Sequence, residues 1–424
     1  MLYDIGFFLF SLFYLPALIF KGKLHREFGE RFGAYSEAKL SALKAARDVV
    51  WVQAVSVGEV ALCGKLIPAL REAFPSSTVV LSTITKTGNE LANKLFSKEA
   101  VVIYFPLDFS FVVKRVVSLI RPKIYVMVET EIWPNLLKEL SSESVPAIMI
   151  NGRISDRSFG KYMAVKILMR RTLERIRLFC MQSEADAGRI KAIGAPAGRV
   201  RVTGTMKFDF EPKARRDDSF RIDGFFGIPA GDELFVAGST HPGEDTAVVS
   251  SYKELAAEFP KLRLLIAPRH IERSPEVEKV VRHFGFTPVR FSSGAHQPGS
   301  GGAGAVYILD RIGYLNDAYF SATVVFVGGS LVPHGGQNPI EPAAFGKPVI
   351  FGPHMFNFKA VASVFSERDA AVQIVDGKEL FAAVRRLLKE KGRAVTLGIN
   401  AKTAVLDNRG ATGRNVAAIR EVLI

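Results

Sequence analysis

The chain has 424 residues, 48% apolar and 23% charged, with two cysteines, Cys63 and Cys180, and a formal net charge of +14. This excludes a disordered, collagen-like or coiled-coil chain, and the absence of any C-x-x-C pair excludes a disulfide framework or zinc ribbon and favours a reducing compartment. So basic a surface calls for an anionic counterpart, whether nucleic acid, membrane or phosphorylated ligand, and the length allows two or three domains.

Residues 5–20, IGFFLFSLFYLPALIF, contain one polar side chain, Ser11. As a helix they reach ~24 Å, short of a ~30 Å hydrocarbon core. Lys21, Lys23, Arg26 and Arg31 follow, with no basic residue before and no small-x-small cleavage site after. The pattern predicts a membrane anchor over residues 1–22, spanning or half-inserted, with the rest of the chain cytoplasmic. The competing reading is a buried helix of a soluble domain.

From Val49 onward, short Val/Ile-rich runs alternate with segments of helical period. The runs are 49–55, 78–83, 101–105, 123–128, 146–150 and 178–183, with a long basic helix expected around 162–176. Apolar runs without alternation predict parallel strands buried on both faces. The pattern breaks at 211–231, a charged stretch with Gly and Pro. It resumes with runs at 233–238, 262–268, 288–291, 306–309, 323–328, 348–352 and 371–375. The reading is an α/β chain: an N-terminal domain over 23–210, a linker over 211–231, a C-terminal domain over 232–404, and a C-terminal helix over 405–424 that crosses back to the first domain. Ligands of such domains sit beyond the carboxyl ends of the strands.

The strand ends hold the candidate chemistry. Ser56-Val57-Gly58-Glu59 turns the first strand into its helix. Glu59 reads equally as a favourable first-turn carboxylate or as a general base that the helix dipole keeps ionised. Glu129-Thr130-Glu131 ends the fourth strand. Two carboxylates one residue apart suit metal binding or acid–base work; alternatively Glu131 caps the next helix and Glu129 pairs with a buried cation. Asn151-Gly152-Arg153 closes the fifth. From Arg153 to Arg177 there are eight basic residues against Asp156 and Glu174. An excess this one-sided favours an anionic lipid or phosphorylated acceptor, and no RNP-type pattern, zinc finger or helix-turn-helix supports nucleic acid.

In the second half, Gly238-Ser239-Thr240-His241 reads as a phosphate-cradling turn, although no Walker A loop occurs. Arg269 and His270 stand at the next strand end. Gly328-Gly329-Ser330 and Gly335-Gly336-Gln337-Asn338-Pro339-Ile340-Glu341 read as a backbone approach to a ligand. Asn338-Pro339 opens a helix that attracts an anion, and Glu341 is placed to hold ribose hydroxyls. Gly299-Ser300-Gly301-Gly302-Ala303-Gly304 fits G-x-G-x-x-G, but a strand follows instead of a helix, so it reads as a loop.

With these pieces in hand, the chain resembles the 3-deoxy-D-manno-octulosonic acid (Kdo) transferases of lipopolysaccharide assembly. The matching motifs are WVQAVSVGE (51–59), VETEIWPN (128–135), NGRIS (151–155), GTMKFD (204–209), GSTHPGED (238–245), APRH (267–270), FVGGSLV (326–332) and GGQNPIEP (335–342). The resemblance implies a GT-B-type fold of two facing Rossmann-like domains behind an N-terminal anchor. It implies inverting, metal-independent transfer of Kdo from CMP-Kdo to the lipid A precursor at the cytoplasmic face of the inner membrane, with no cofactor and no nucleic-acid partner. It places the base on Glu59. Substrate binding falls on Ser56, Gly58, Glu129, Asn151, Arg153 and Lys207 in the first half. In the second it falls on Ser239, Thr240, Arg269, His270, Gly329, Ser330, Gly336, Asn338 and Glu341. Gln53 and Gln337 stand where the family usually has His, so neither carries a proton at neutral pH. The rival readings are a GT-B-type UDP-sugar transferase or epimerase, and a non-catalytic membrane-anchored protein that binds nucleotide or lipid.

Overall fold

Every residue of the strands at 49–53, 147–152 and 324–327 is buried, as parallel strands covered on both faces require. The computed structural model describes residues 3, 4, 6–8, 27–211, 221–294 and 304–423. The chain forms two units, Met1–Asp209 with Gly410–Ile424, and Phe210–Arg409.

The first unit is built on seven parallel strands: β1 (Val49–Gln53), β2 (Val79–Thr83), β3 (Val101–Tyr104), β4 (Pro122–Val128), β5 (Ala147–Gly152), β6 (Ile176–Met181) and β7 (Val200–Val202). Their order is β3-β2-β1-β4-β5-β6-β7. Successive side chains point to opposite faces. Trp51 therefore packs with Tyr125, Met149 and Phe179 on one face, while Val50 and Val52 pack with Ile124 and Val126 on the other. The latter face is closed by Val416 and Ile419 of the C-terminal helix Ala411–Leu423. The order reverses between β1 and β4, and crevices for ligands open at such switch points.

The second unit repeats the plan with β8 (Glu233–Thr240), β9 (Leu262–Pro268), β10 (Thr287–Arg290), β11 (Ala305–Ile308), β12 (Val324–Val327), β13 (Val349–Phe351) and β14 (Val372–Gln373). Their order is β10-β11-β9-β8-β12-β13-β14, with the switch between β8 and β12. Phe235, Ile266, Phe326 and Ile350 form one core face under Val248 and Tyr252 of the helix Glu244–Glu258.

Several details differ from the sequence reading. The single basic helix expected over 162–176 is two helices, Asp156–Ala164 and Lys166–Leu173, with Val165 non-helical between them. The break lets the second helix bury Met169 and Leu173 in the core, while the first stays at the surface with no buried residue. Ile176, placed at that helix's end, instead opens β6. The short strand β7 was not foreseen, because its three residues are too few for a pattern. Residues 211–231, read as linker, include a helix Ile222–Phe226 whose end residues are buried.

Most of the expected anchor, and residues 299–303 of the glycine-rich loop, lie outside the described residues. Of the anchor stretch, residues 3, 4 and 6–8 are helical. Asp4 Oδ1 accepts from the Ser110 N–H and Asn135 Nδ2 at 2.9 Å each, so this end is tied to the first unit by polar contacts. Among the described residues no helix is long and apolar enough to cross a membrane.

Candidate active site

At the first switch point, Ser56 ends the extended backbone and the helix Val57–Ala73 begins. Glu59 folds back in the first turn. One carboxylate oxygen accepts from the Val55 N–H, and the other lies 3.4 Å from Ser56 Oγ. A Cβ at Gly58 would meet only Ser56 Oγ, at 3.9 Å, so the space over this turn is open. The dipole was expected to hold Glu59 ionised, but burial outweighs it. Desolvation, then the nearby Glu129 charge, push its pKa up to about 7.

β4 delivers the second group. Glu129 adopts a left-handed conformation, φ 61°, which turns the chain sharply off the strand end. The Thr130 hydroxyl and the Arg153 backbone bond each other reciprocally, joining the ends of β4 and β5. Burial, and then the Glu59 charge, push Glu131 up to about 8, although Trp133 Nε1 donates to it at 3.0 Å. Glu131 does not cap the next helix. Asp108 does so, accepting from the N–H groups of Asn135 (3.1 Å) and Leu136 (2.8 Å), while Pro134 at the first position has no N–H to satisfy.

Asn151, expected at the ligand, is fully buried. Its Oδ1 accepts from the Met206 N–H at 2.9 Å, which holds the turn Met206–Asp209 carrying Lys207. Burial lowers the Lys207 pKa against the opposing pull of Glu129 and Glu59, with Arg153 lowering it further. The structure thus gathers Glu59, Glu129, Glu131, Arg153 and Lys207 within electrostatic reach of one another. Gln53 lies in the sheet interior, where its Oε1 accepts from the Ser82 hydroxyl.

In the second unit, the loops after β8 and β12 are bound by Glu244, a residue the sequence reading did not single out. Its Oε2 accepts from the N–H groups of His241 (2.8 Å) and Gly329 (2.7 Å), and its Oε1 from those of Ser330 (3.0 Å) and Leu331 (2.9 Å). The available signal was an acid in the first turn of a long helix, within GSTHPGED. Desolvation raises its pKa, and these four donors oppose the rise. Ser330 is fully buried; its hydroxyl donates to the Val327 carbonyl and accepts from the Gly352 N–H, so it joins β12 to β13.

Close approach at this switch point depends on glycine. A Cβ at Gly328 would stand 2.4 Å from Ser239 O and 2.7 Å from Thr240 Cα, all backbone. Gly328→Ala must therefore part β8 from β12. A loss of about 1–3 kcal/mol is expected in thermal unfolding, together with weaker nucleotide binding. Unchanged melting would refute the packing argument.

Thr240 is buried, whereas Arg269 and His270 are exposed at the carboxyl end of β9. The His241 ring stacks on His334 at 4.3 Å and meets His270 edge-on at 6.1 Å. Burial, then the electrostatic effect of His334 and His270 with Arg273 and Arg269, lower His241 to about 4, so it is neutral at pH 7. Gln337 Nε2 lies 3.1 Å from His241 Nε2, a donor facing the ring nitrogen of the neutral form. The helix opened by Asn338-Pro339 is only Ile340–Ala344, too short for a developed dipole, so anion binding falls to other groups here. Asn338 is occupied locally: Oδ1 accepts from the Ile340 N–H at 3.1 Å and Nδ2 donates to Glu341 at 3.0 Å. Burial raises the Glu341 pKa, and Asn338 and Arg269 oppose the rise. Gly336, at φ 75°, allows the chain to pass Met355, whose sulfur would lie 2.3 Å from a Cβ there.

Among the described residues, no three His, Cys, Asp or Glu side chains group to hold a metal ion. Both cysteines are buried free thiols, pushed up to about 12 by desolvation.

A family model described as 3-deoxy-D-manno-octulosonic-acid transferase (kdotransferase) matches residues 26–210. The 3-deoxy-D-manno-octulosonic acid transferase of Haemophilus influenzae is 31% identical over 417 residues, covering 97% of this chain and 95% of that one. Among solved structures, a glycosyltransferase from Rickettsia africae has a TM-score of 0.62 at 11% identity, covering 89% of this chain and 99% of that one. UDP-GlcNAc 2-epimerase from Neisseria meningitidis has a TM-score of 0.62 at 14% identity, covering 88% of this chain and 100% of that one. At such identities these two speak to the two-unit α/β fold alone. The near full-length match, together with the SVGE and ETEIWPN motifs that meet at the first switch point, places the chain in the 3-deoxy-D-manno-octulosonic acid transferase family.

Proposed function

We propose that the protein moves Kdo from CMP-Kdo to a hydroxyl of the anionic lipid A precursor, lipid IVA, with inversion and without a metal, in lipopolysaccharide core assembly. The observation that carries this reading is Glu59, a carboxylate at a parallel-sheet switch point whose pKa is poised near 7. A base so tuned is partly ionised at neutral pH and still a good proton acceptor. The acceptor hydroxyl gives its proton to Glu59 as its oxygen bonds to the anomeric carbon of Kdo. The bond from that carbon to the CMP phosphate oxygen breaks, and CMP leaves with the electron pair. Lys207 and Arg153 meet anionic groups of the substrate. In the second unit, Arg269 and His270 with the Ser239–Thr240 turn receive the departing phosphate, and Glu341 takes the ribose hydroxyls.

Membrane attachment belongs to the same reading. Met163, Val165, Ile167 (80% exposed) and Leu168 stand among exposed Arg157, Lys161, Lys166, Arg170 and Arg171. Apolar and basic residues interleaved on a surface suit an anionic lipid interface. In this reading that surface and the N-terminal apolar segment together attach the protein to the cytoplasmic face of the inner membrane.

The test is incubation of the protein with CMP-Kdo and tetraacylated lipid A precursor, read by mass spectrometry. A gain of one or more Kdo masses is expected, with CMP and not UDP raising the melting temperature. Absence of product with intact, folded protein would refute the reading.

A further inference from the structure

The ETEIWPN segment ends in Asn135, a residue the transfer chemistry does not use. Its amide is nevertheless central to a buried polar node. Asn135 Nδ2 donates to the Asp108 carbonyl at 2.6 Å and to Asp4 Oδ1 at 2.9 Å. The same Asp4 oxygen accepts from the Ser110 N–H at 2.9 Å, at the start of the helix Ser110–Ile120. Tyr3 bonds through its hydroxyl to Asp108, whose carboxylate already holds the N–H groups of Asn135 and Leu136. Phe7 seals the node, its ring edge-on to Phe109 with centroids 4.9 Å apart. Tyr3, Asp4 and Phe7 thus hold the Asp108 node that caps the helix Pro134–Ser142, across more than 100 positions in sequence.

That helix head follows Glu131 of the site by three residues. Trp133 immediately precedes Pro134, stacks obliquely on Phe105 at 5.4 Å, and donates its indole N–H to Glu131 at 3.0 Å. The Glu59 charge in turn acts on Glu131 and raises its pKa. A displacement of the helix head moves Trp133, and Trp133 orients Glu131. We propose that Tyr3 and Asp4 are positioning residues for the carboxylate site: by clamping Asp108 and Asn135, the N-terminal segment sets Trp133 and Glu131, and so couples the docking of the chain's start to competence for transfer. This deepens the transferase reading and rests on it for its kinetic arm.

The experiment uses the full chain with the double variant Tyr3→Phe/Asp4→Ala and the conservative variant Asp4→Asn. Three quantities are read: kcat with the lipid A precursor, the dissociation constant of CMP, and tryptophan emission. Trp133 is one of two tryptophans, and the other, Trp51, is fully buried and serves as a constant background. For the double variant, kcat is expected to fall about tenfold, CMP affinity to stay within twofold, and the emission to shift to the red as Trp133 gains water. Asp4→Asn keeps an oxygen that can accept from Ser110 and Asn135, so it is expected to restore kcat to within twofold or threefold of wild type. Wild-type kcat and emission in the double variant would overturn the proposal. So would equal losses in kcat and CMP affinity, which would mark general destabilisation. If the wild-type protein itself transfers nothing, the function proposed above fails, while the emission shift still decides whether the clamp sets Trp133.

Discussion

Glu59→Gln is expected to lower transfer by about 10²–10⁴-fold, the usual contribution of a positioned base, and yet to raise stability at alkaline pH. The folded protein holds this carboxyl up to about 7, above its usual value near 4.5, because burial and Glu129 disfavour the charge. In the unfolded chain the group ionises near 4.5. Its contribution to stability is therefore complete below that pH, is lost as pH rises from there through 7, and is gone above. Glutamine does not titrate. Wild type and variant should melt alike near pH 4, and the variant should melt higher at pH 8. In wild type, kcat/KM should rise with pH until about 7 and then level off. An active variant would remove Glu59 from the chemistry, and a melting difference independent of pH would remove the buried charge. Glu131, which shares the field, should ionise more readily in the variant, since the Glu59 charge is one cause of its shift to about 8.

Glu244→Ala is expected to have the largest effect in the second unit. Its carboxylate receives four backbone donors from two loops, those after β8 and β12. Each buried donor left without a partner costs about 1–3 kcal/mol, and some will find water once the cavity opens. A net loss of about 3 kcal/mol or more is expected in denaturant unfolding, with CMP binding weakened at least tenfold because the loops carrying His241, Gly329, Ser330 and Leu331 lose their common anchor. Glu244→Gln can accept at only one oxygen, so it should fall between. Glu244→Ala with wild-type stability and affinity would show that the loops hold themselves.

Much of this architecture was legible in the residues. Most of the fourteen strands among the described residues are buried runs of Val, Ile, Leu and Phe, and all but one lie within or beside a run visible in sequence. Only β7, at the sheet's edge and partly exposed, carried no such pattern. The turns holding Glu59, Glu129, Arg269 and Gly329 were legible too, since small and charged residues interrupting a Val/Ile strand mark a carboxyl end. The break at Val165 was not, because the residues on either side keep a helical period, and what separates them is the burial of Met169 and Leu173.

Composition and order therefore determined the two-unit parallel α/β plan, the family, and the strand ends where the chemistry gathers, because backbone hydrogen bonding and the burial of apolar runs act over a few residues. Tertiary structure alone decided the state and duty of each polar group. Glu59 rises to about 7 because elements 70 positions apart bury it beside Glu129. Asn151 and Ser330 turn inward to brace turns. Glu244 ties its own neighbouring loop to one more than 80 positions away, and Asp4 reaches Asn135 across 131. Desolvation and long-range hydrogen bonds depend on which segments meet in space, and no local pattern records that meeting.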